Sequence, residues 1–236
     1  MKKHLNTLFV ATQGAYLAKD GETVAVRIEG ETVLRAPLHT LESVVCFGNV
    51  GCSPFLMGFC GERKVGLSFL SENGKFLARV QGPTSGNVLL RRTQYRWADD
   101  ATISTRMAQR FIAAKIVNSR ALLHRALRDH VDVVEIEPLE RAIGLMAGMM
   151  TRLSDASSGD VIRGIEGEAA NVYFANFNQM LLAQQDAFRL KDRNRRPPTD
   201  PMNALLSFLY TLLAHEATAA LESVGLDPQV GFLHRD

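Results

Sequence analysis

The hydrophobic period of the chain changes once, and this change constrains the fold more than any other feature. Up to residue 82, short runs alternate apolar and polar residues or carry β-branched side chains, as strands do. The pairs Asp20-Gly21, Glu29-Gly30 and Asn73-Gly74 separate these runs, and such pairs favour tight turns whose residues need positive φ. After Gly82-Pro83-Thr84-Ser85-Gly86, apolar residues recur at helical spacing instead. We therefore predict an α+β fold, with a β-rich domain over residues 1–82, a linker over 83–90 and an all-α domain over 91–236.

Capping signals predict where several helices begin and end. Ser53 precedes a short apolar stretch and predicts a helix over Pro54 to Cys60. Ser157-x-x-Asp160 predicts a helix from near residue 159 through Tyr173 toward Leu182. Asp200-Pro201 begins another helix, which Gly225 ends. Two further helices are predicted from apolar stripes. One stripe is Ile103, Met107, Phe111, Ala114 and Val117, and the other is Leu139, Ile143, Met146, Met150 and Leu153.

Composition and missing motifs exclude several classes of protein. Hydrophobic residues make up 46% and charged residues 22%, which is ordinary for a globular protein. No Walker A, His-Glu-x-x-His or Gly-x-Ser-x-Gly motif occurs. We expect no apolar run long enough to span a bilayer and no signal peptide. We therefore expect a cytoplasmic protein that does not associate with a membrane. Cys46, Cys52 and Cys60 fit neither a disulfide framework nor a metal knuckle, so we interpret them as buried small hydrophobic residues.

The net charge of +2 averages over unlike segments. Residues 79–130 carry ten basic and three acidic groups, whereas residues 131–190 carry four basic and nine acidic groups. Nine of the ten basic residues are arginines, whose planar fork suits phosphate: Arg79, Arg91, Arg92, Arg96, Arg106, Arg110, Arg120, Arg125 and Arg128. A solvated helix face is the alternative, and the shortage of nearby acids favours a polyanionic partner over it.

Two residues stand out as candidates for chemistry. Glu166 lies on a predicted helix between Gly164 and Gly167, and each glycine costs a helix interior about 1 kcal/mol relative to alanine. Close approach of another backbone or of a nucleic-acid strand would explain the pair. His234 follows a loop in Gly231-Phe232-Leu233-His234. On the residues alone, an exposed helix carboxylate and a structural histidine are the commoner roles, and both alternatives stay open.

Several segments, taken together and in this order, carry a family resemblance. They are Leu5-Asn6-Thr7-Leu8, Gln13-Gly14-Ala15-Tyr16-Leu17, residues 37–43, residues 86–92, Gly164-Ile165-Glu166-Gly167, residues 195–201 with 203–210, Gly225-Leu226-Asp227-Pro228 and Gly231-Phe232-Leu233-His234. The chain resembles the CRISPR-associated integrase-endonuclease of the spacer-acquisition module, the first in Cas numbering. The form found with subtype I-C systems is the most similar.

The resemblance implies a metal-dependent catalytic site in the helical domain. The metal is Mg²⁺ or Mn²⁺, and its ligands are a glutamate, a histidine and a later acidic residue. The first two motifs fall on Glu166 and His234, which become the expected catalytic and metal-binding residues. The family's acidic ligand lies in a helix beyond the histidine, and Asp236 is not assigned to that role. We therefore expect a C-terminally truncated chain with impaired activity.

The resemblance also implies partners. These are a second copy bound through the β-rich domain, the companion small adaptation protein (second in Cas numbering), and duplex or branched DNA held by its backbone. The expected DNA contacts are Arg91, Arg92, Arg106, Arg110, Arg163, Arg195, Arg196 and Tyr210. The implied function is a DNA endonuclease and integrase that inserts foreign spacers into a CRISPR array by hydrolysis and transesterification. A non-catalytic dimeric DNA-binding scaffold is the alternative, and a purely structural dimerisation subunit is a third hypothesis.

Overall fold

A computed structural model of the chain describes residues 6–82, 87–194 and 197–234. The chain forms two compact units, Met1–Arg91 with Phe208–Pro228, and Arg92–Ser207 with Gln229–Asp236. The first unit holds the strands and the second is helical, so the predicted α+β class is confirmed.

Two four-stranded sheets make up most of the first unit. One sheet has the order β1 (Thr7–Val10), β5 (Ser43–Phe47), β7 (Gly66–Leu70) and β8 (Phe76–Val80). In this sheet β1, β5 and β7 run parallel, and β8 is antiparallel to β7. The other sheet has the order β4 (Glu31–Pro37), β3 (Thr23–Ile28), β2 (Tyr16–Asp20) and β6 (Gly51–Cys52). A helix, α1 (Pro54–Arg63), contacts β2, β7 and β8.

The local signals for this unit are confirmed at the residues that carried them. Gly21, Gly30 and Gly74 have positive φ at the predicted turns, and the Ser53 side chain accepts a hydrogen bond from the backbone N–H of Leu56. Strand β6 was not predicted, because two residues are too few to show an alternation.

The three cysteines lie in or beside the apolar core of the first unit. Cys46 and Cys60 are buried and Cys52 is partly buried, so the predicted role as small hydrophobic residues is confirmed for the first two. Burial raises the pKa of Cys46 and of Cys60 to about 12, and that of Cys52 to about 11. Thiols held in this protonated form are poor nucleophiles and poor metal ligands.

The second unit is built from helices. They are α2 (Val88–Asp99), which enters this unit at Arg92, α3 (Ala101–Asp129), α4 (Ile136–Ser154), α5 (Gly159–Ala175) and the short α6 (Gln185–Phe188), with a 3₁₀ turn at Phe177–Met180. Helix α2 begins inside the predicted linker of residues 83–90, because the Asn87 side chain accepts hydrogen bonds from the N–H groups of Leu89 and Leu90. Ser158, one residue after the predicted Ser157, caps α5.

Helices α3, α4 and α5 enclose the apolar core of the second unit. Helix α3 buries Ala108, Ile112 and Ile116 there. The predicted α3 stripe lies on a different side of the helix, and its Phe111 is 58% exposed. This helix carries two adjacent apolar stripes, and the stripe that includes the small Ala108 faces the other helices. On α4 the predicted stripe is correct apart from Met150, which is partly buried while Met149 is buried.

The last helix, α7 (Pro201–Ser223), follows its predicted limits. The Asp200 side chain accepts a hydrogen bond from the N–H of Asn203 at 2.8 Å, which lowers the pKa of Asp200, and Gly225 has a φ of +85°. Residues Phe208–Pro228 belong to the first unit, although the predicted domain limits placed all of residues 91–236 together. An apolar helix carries no sequence signal for the surface that it packs against.

Polar contacts join this segment to the sheet of β1, β5, β7 and β8. The Ser43 hydroxyl donates to Glu216 Oε1 at 2.6 Å, and Arg79 pairs with Glu222 at 2.5 Å. By length and composition α7 could cross a bilayer, so the expectation that no run is long enough was wrong. The paired Glu216 and Glu222 show that this helix makes specific contacts with the protein.

His215 is the residue of the first unit for which we predict an effect of pH on stability. Its ring stacks on Phe76 with 4.4 Å between centroids. Burial and the nearby Arg79 lower the pKa of His215 below 6.5, against a smaller opposite effect of Glu216. As the pH falls from 6.5, the unfolded chain therefore takes up this proton before the folded chain does, and stability is lost.

We expect His215→Gln to flatten this dependence. Thermal unfolding of both proteins between about pH 5 and pH 8 measures it. The melting temperature of the wild-type chain should fall more steeply below pH 6.5 than that of the variant. Parallel profiles would contradict the role of His215.

Candidate active site

Two acidic residues of α5 face different neighbours. Glu166 accepts from Lys115 Nζ of α3, with 2.5 Å between Nζ and Oε1, and its side chain is 22% exposed. Glu168 pairs instead with Arg152 of α4 at 2.8 Å, and its side chain is 42% exposed. Glu166 is therefore the carboxylate on the α3 side of the helix.

The helix surface around Glu166 is open. Apart from its two chain neighbours and the adjoining backbone of α5, a Cβ atom built on Gly164 or on Gly167 would meet no atom of the described residues within 4 Å. Close approach of another protein backbone was one possible explanation for Gly164 and Gly167, and no such approach is found in the described part of the chain. Approach of a nucleic-acid strand stays a prediction.

Three contacts hold the segment that carries His234. The Ser104 hydroxyl of α3 donates to the Phe232 carbonyl at 2.8 Å, and the Phe232 ring stacks on Phe111 with 6.4 Å between centroids. Arg163 Nη1 donates to the Leu233 carbonyl at 2.8 Å. The exposed His234 therefore follows a residue that is bound to α5 one helical turn before Glu166.

A cavity of about 560 Å³ lies beside this segment. The start of α5, the junction of α2 and α3, and residues 229–234 line it. His234, Arg163, Asp160 and Asp99 are among its polar residues, and Glu166 lies outside its lining. The two predicted ligands thus lie on adjoining elements rather than in one enclosed cavity.

The donor set fits a divalent cation in type but supplies few ligands. Carboxylate and imidazole both bind such metals, and Glu166 already has a cation, the Lys115 ammonium, against it. Within residues 6–82, 87–194 and 197–234, however, there is no group of three His, Cys, Asp or Glu side chains that could hold a metal ion. The described residues would provide two ligands, Glu166 and His234.

The predicted DNA-binding arginines divide into two groups. Arg92, Arg106 and Arg110 are exposed and form no ion pair within the described residues. Arg91 donates to the Gly225 carbonyl at 2.9 Å, and Arg163 is bound by Asp160 and the Leu233 carbonyl. As DNA contacts all five stay predictions, and the last two also have a role inside the protein.

The remaining predicted contacts are a tyrosine and two arginines. Tyr210 is half-exposed on α7. Arg195 and Arg196 lie outside the described residues.

Sequence reasoning missed two residues that organise this unit. Lys115 is the single lysine among the ten basic residues of 79–130, and nothing in the sequence pairs it with Glu166, which lies 51 residues away. Asn203 is buried and uses its whole side chain. Its Oδ1 accepts from Arg193 at 2.8 Å and from the Asn194 N–H at 3.0 Å, and its Nδ2 donates to the Asp192 carbonyl at 2.7 Å and to Asp200 at 2.6 Å. These bonds join residues 192–194 to the start of α7, and only the spacing from Asp200 could have indicated them.

Comparison with known proteins identifies the family. The family model described as CRISPR associated protein Cas1 matches residues 8–236. A CRISPR-associated endonuclease Cas1 of Chlorobaculum tepidum is 52% identical over 236 residues, which is all of this chain. The chain belongs to the CRISPR-associated Cas1 family. A second Cas1 endonuclease, from Rhodospirillum rubrum, is 48% identical over 240 residues, and the chain spans 69% of the length of each of these Cas1 relatives.

Solved structures share the fold at low sequence identity. A Cas6-RT-Cas1–Cas2 complex has a TM-score of 0.75 at 23% identity, and the match covers 100% of this chain and 25% of the chain in that complex. A casposase bound to integration product has a TM-score of 0.76 at 24% identity, and the match covers 98% of this chain and 65% of the casposase chain. A TtCas1–DNA complex has a TM-score of 0.61 at 17% identity, covering 98% and 69%. These likenesses support the Cas1 fold for the whole of the matched chain.

We expect Arg163→Met to loosen residues 229–234, because it removes the bond to the Leu233 carbonyl. Chymotryptic cleavage after Phe232 measures this, and loss of one hydrogen bond should speed it by up to about tenfold. Arg152→Met, which breaks an exposed ion pair between α4 and Glu168 of α5, is the control and should leave the rate unchanged. An unchanged rate in Arg163→Met, combined with weaker DNA binding, would assign this residue to DNA alone.

Proposed function

We propose that this Cas1 protein is a divalent-metal-dependent DNA endonuclease and integrase that inserts spacers into a CRISPR array, with Glu166 and His234 as metal ligands. One observation carries the proposal: Arg163 binds the carbonyl just before His234, one turn from Glu166 on the same helix. The names of the relatives support nuclease activity, and the casposase bound to integration product supports strand transfer.

The chemistry is an in-line displacement at phosphorus. Water as the nucleophile gives hydrolysis, and a DNA 3′-hydroxyl gives transesterification, with the leaving oxygen departing on the opposite side. When bound, Mg²⁺ or Mn²⁺ polarises the phosphoryl oxygen and stabilises charge on the leaving group. Glu166 and His234 hold the cation, Arg163 positions the His234 segment, and the exposed arginines of α2 and α3 bind the DNA backbone without reading sequence.

The proposal includes a further acidic ligand from outside the described residues. Mg²⁺ prefers an octahedral set of mostly oxygen ligands, and two protein ligands hold it weakly. The Chlorobaculum tepidum relative is the matched comparison, because it is longer and 52% identical.

We expect Glu166→Gln to abolish turnover while DNA affinity is kept. Cleavage and strand transfer on branched DNA with Mn²⁺ measure this, and the loss should reach at least about 100-fold, as for other groups that support transition-state charge. The change is made in this chain and at the aligned glutamate of the relative. Glu168→Gln, on the other side of α5, is the control and should stay active. If the unmodified relative shows neither reaction, the enzymatic proposal fails.

We expect replacing Arg106 and Arg110 by Gln to weaken DNA binding, because each substitution removes a cation that can neutralise a phosphate. The slope of log affinity against log salt should become shallower by about one for each phosphate that is no longer neutralised. Arg125→Gln with Arg128→Gln is the matched control, since both arginines already pair with Asp129 on the same helix. Equal slopes for the two double variants would remove α3 from the DNA-binding surface.

The proposed partners and setting follow the family. A homodimer through the β-rich domain is supported by exposed apolar residues there, among them Val33, Leu34 and Phe55. The Cas1–Cas2 complex among the similar structures supports the companion small adaptation protein, and the TtCas1–DNA complex supports DNA. We place the protein in the cytoplasm and in a subtype I-C-like system.

The DNA-binding scaffold remains the second candidate. It is favoured by the absence of a three-residue metal cluster within the described parts of the chain. A chain and relative that bind DNA through Arg106 and Arg110, yet show no Mn²⁺-dependent reaction, would identify the scaffold.

A further inference from the structure

Lys115 is the single ion-pair partner of Glu166 among the residues that the structure describes. Its ammonium lies 2.5 Å from Oε1, across the contact between α3 and α5. The Lys115 side chain is half-exposed, whereas the carboxylate is more deeply buried. A side chain of the protein thus balances the charge of Glu166.

A divalent cation can displace a lysine from the Glu166 carboxylate more readily than it can displace an arginine. A lysine ammonium is a point charge on a flexible stem, whereas an arginine fork binds a carboxylate through two oriented donors. Residues 79–130 contain nine arginines and one lysine, and the lysine is the one that contacts Glu166. This contact can be given up by rotation of the lysine stem, with no movement of either helix.

A divalent cation on Glu166 and the Lys115 ammonium would lie within a few ångströms of each other. Like charges at such a distance repel, and each would lower the affinity of the carboxylate for the other. The effect is reciprocal, because two ligands that compete for one group must weaken each other by the same factor.

We propose that Lys115 is a built-in counter-ion of Glu166, which holds the carboxylate in the metal-free protein and leaves it when a divalent cation binds. The inference rests on the proposed role of Glu166 as a metal ligand. It adds a residue that sets the metal affinity of the site and keeps its carboxylate positioned before metal arrives.

The same helix offers a matched control. Arg152 pairs with Glu168 between α4 and α5, and both side chains are more exposed than Glu166. Arg152→Met removes one cation from one carboxylate of α5, as Lys115→Met does. The two variants differ in which carboxylate they release.

Mn²⁺ binding without DNA tests the proposal, with free Mn²⁺ measured by electron paramagnetic resonance. Lys115→Met should bind Mn²⁺ about tenfold more tightly than the wild-type chain, a typical size for coupling between two ligands. Arg152→Met should bind as the wild type does. Unchanged or weaker binding by Lys115→Met, including no measurable binding by either protein, overturns the proposal.

A second measurement follows Lys115 itself. Reductive methylation with ¹³C keeps the charge of each lysine and gives it an NMR signal, which Lys115→Met assigns by its disappearance. Addition of Mg²⁺ should shift the Lys115 signal in the wild type and leave it in place in Glu166→Gln. A signal that stays fixed in the wild type overturns the proposal.

Glu166→Gln separates this inference from the proposed function. If this variant binds Mn²⁺ as tightly as the wild type, Glu166 is not a ligand and both proposals fail. If it binds more weakly while Lys115→Met gains nothing, the metal site stands and the role of Lys115 is wrong.

Discussion

The packing of α3 against α4 and α5 is the interaction on which the candidate site depends. Burial of Ile112, Ile116 and their partners sets which side of α3 faces the protein, and therefore which polar residues face α5 and residues 229–234. Gln109 strengthens this arrangement, since its Nε2 donates to the carbonyls of Leu153 at 3.0 Å and Ala156 at 2.9 Å, where α4 ends. Carbonyls at a helix end lack partners within the helix, so one α3 side chain sets the turn that leads into α5.

Some charged side chains of this protein are paired with groups of the protein itself, and others are exposed to solvent. Some arginines are bound to carbonyls or carboxylates of the protein itself, as Arg163 and Arg79 are, and these support the structure around them. Others, such as Arg106 and Arg110, keep their charge exposed. The acids of α5 are divided in the same way, because Glu168 is bound toward α4 and Glu166 toward α3. A net charge summed over the chain, or over a segment, cannot show this division.

The surface of α5 has open space beside Gly164 and Gly167. No described residue outside α5 lies within 4 Å of the position that a Cβ atom would take on Gly164 or Gly167, the two glycines that flank Glu166. The proposed function needs such space, since the charged oxygens of a phosphodiester backbone would have to come within a few ångströms of the proposed metal ligands. Together with the family membership and the shared fold, this makes the α5 surface the place where DNA chemistry is expected.

The sequence by itself determined most of the elements, their order and the family. The hairpin turns, the Ser53 and Asp200 caps and the end of α7 before Gly225 depend on backbone preferences of a few adjacent residues, so they can be read locally. The tertiary structure decided which faces meet. It selected the Ala108 stripe over the Phe111 stripe, joined residues 208–228 to the sheet, and paired Lys115 with Glu166. Those outcomes depend on the shape and charge of surfaces distant in sequence, and no local pattern encodes a partner that lies 51 residues away.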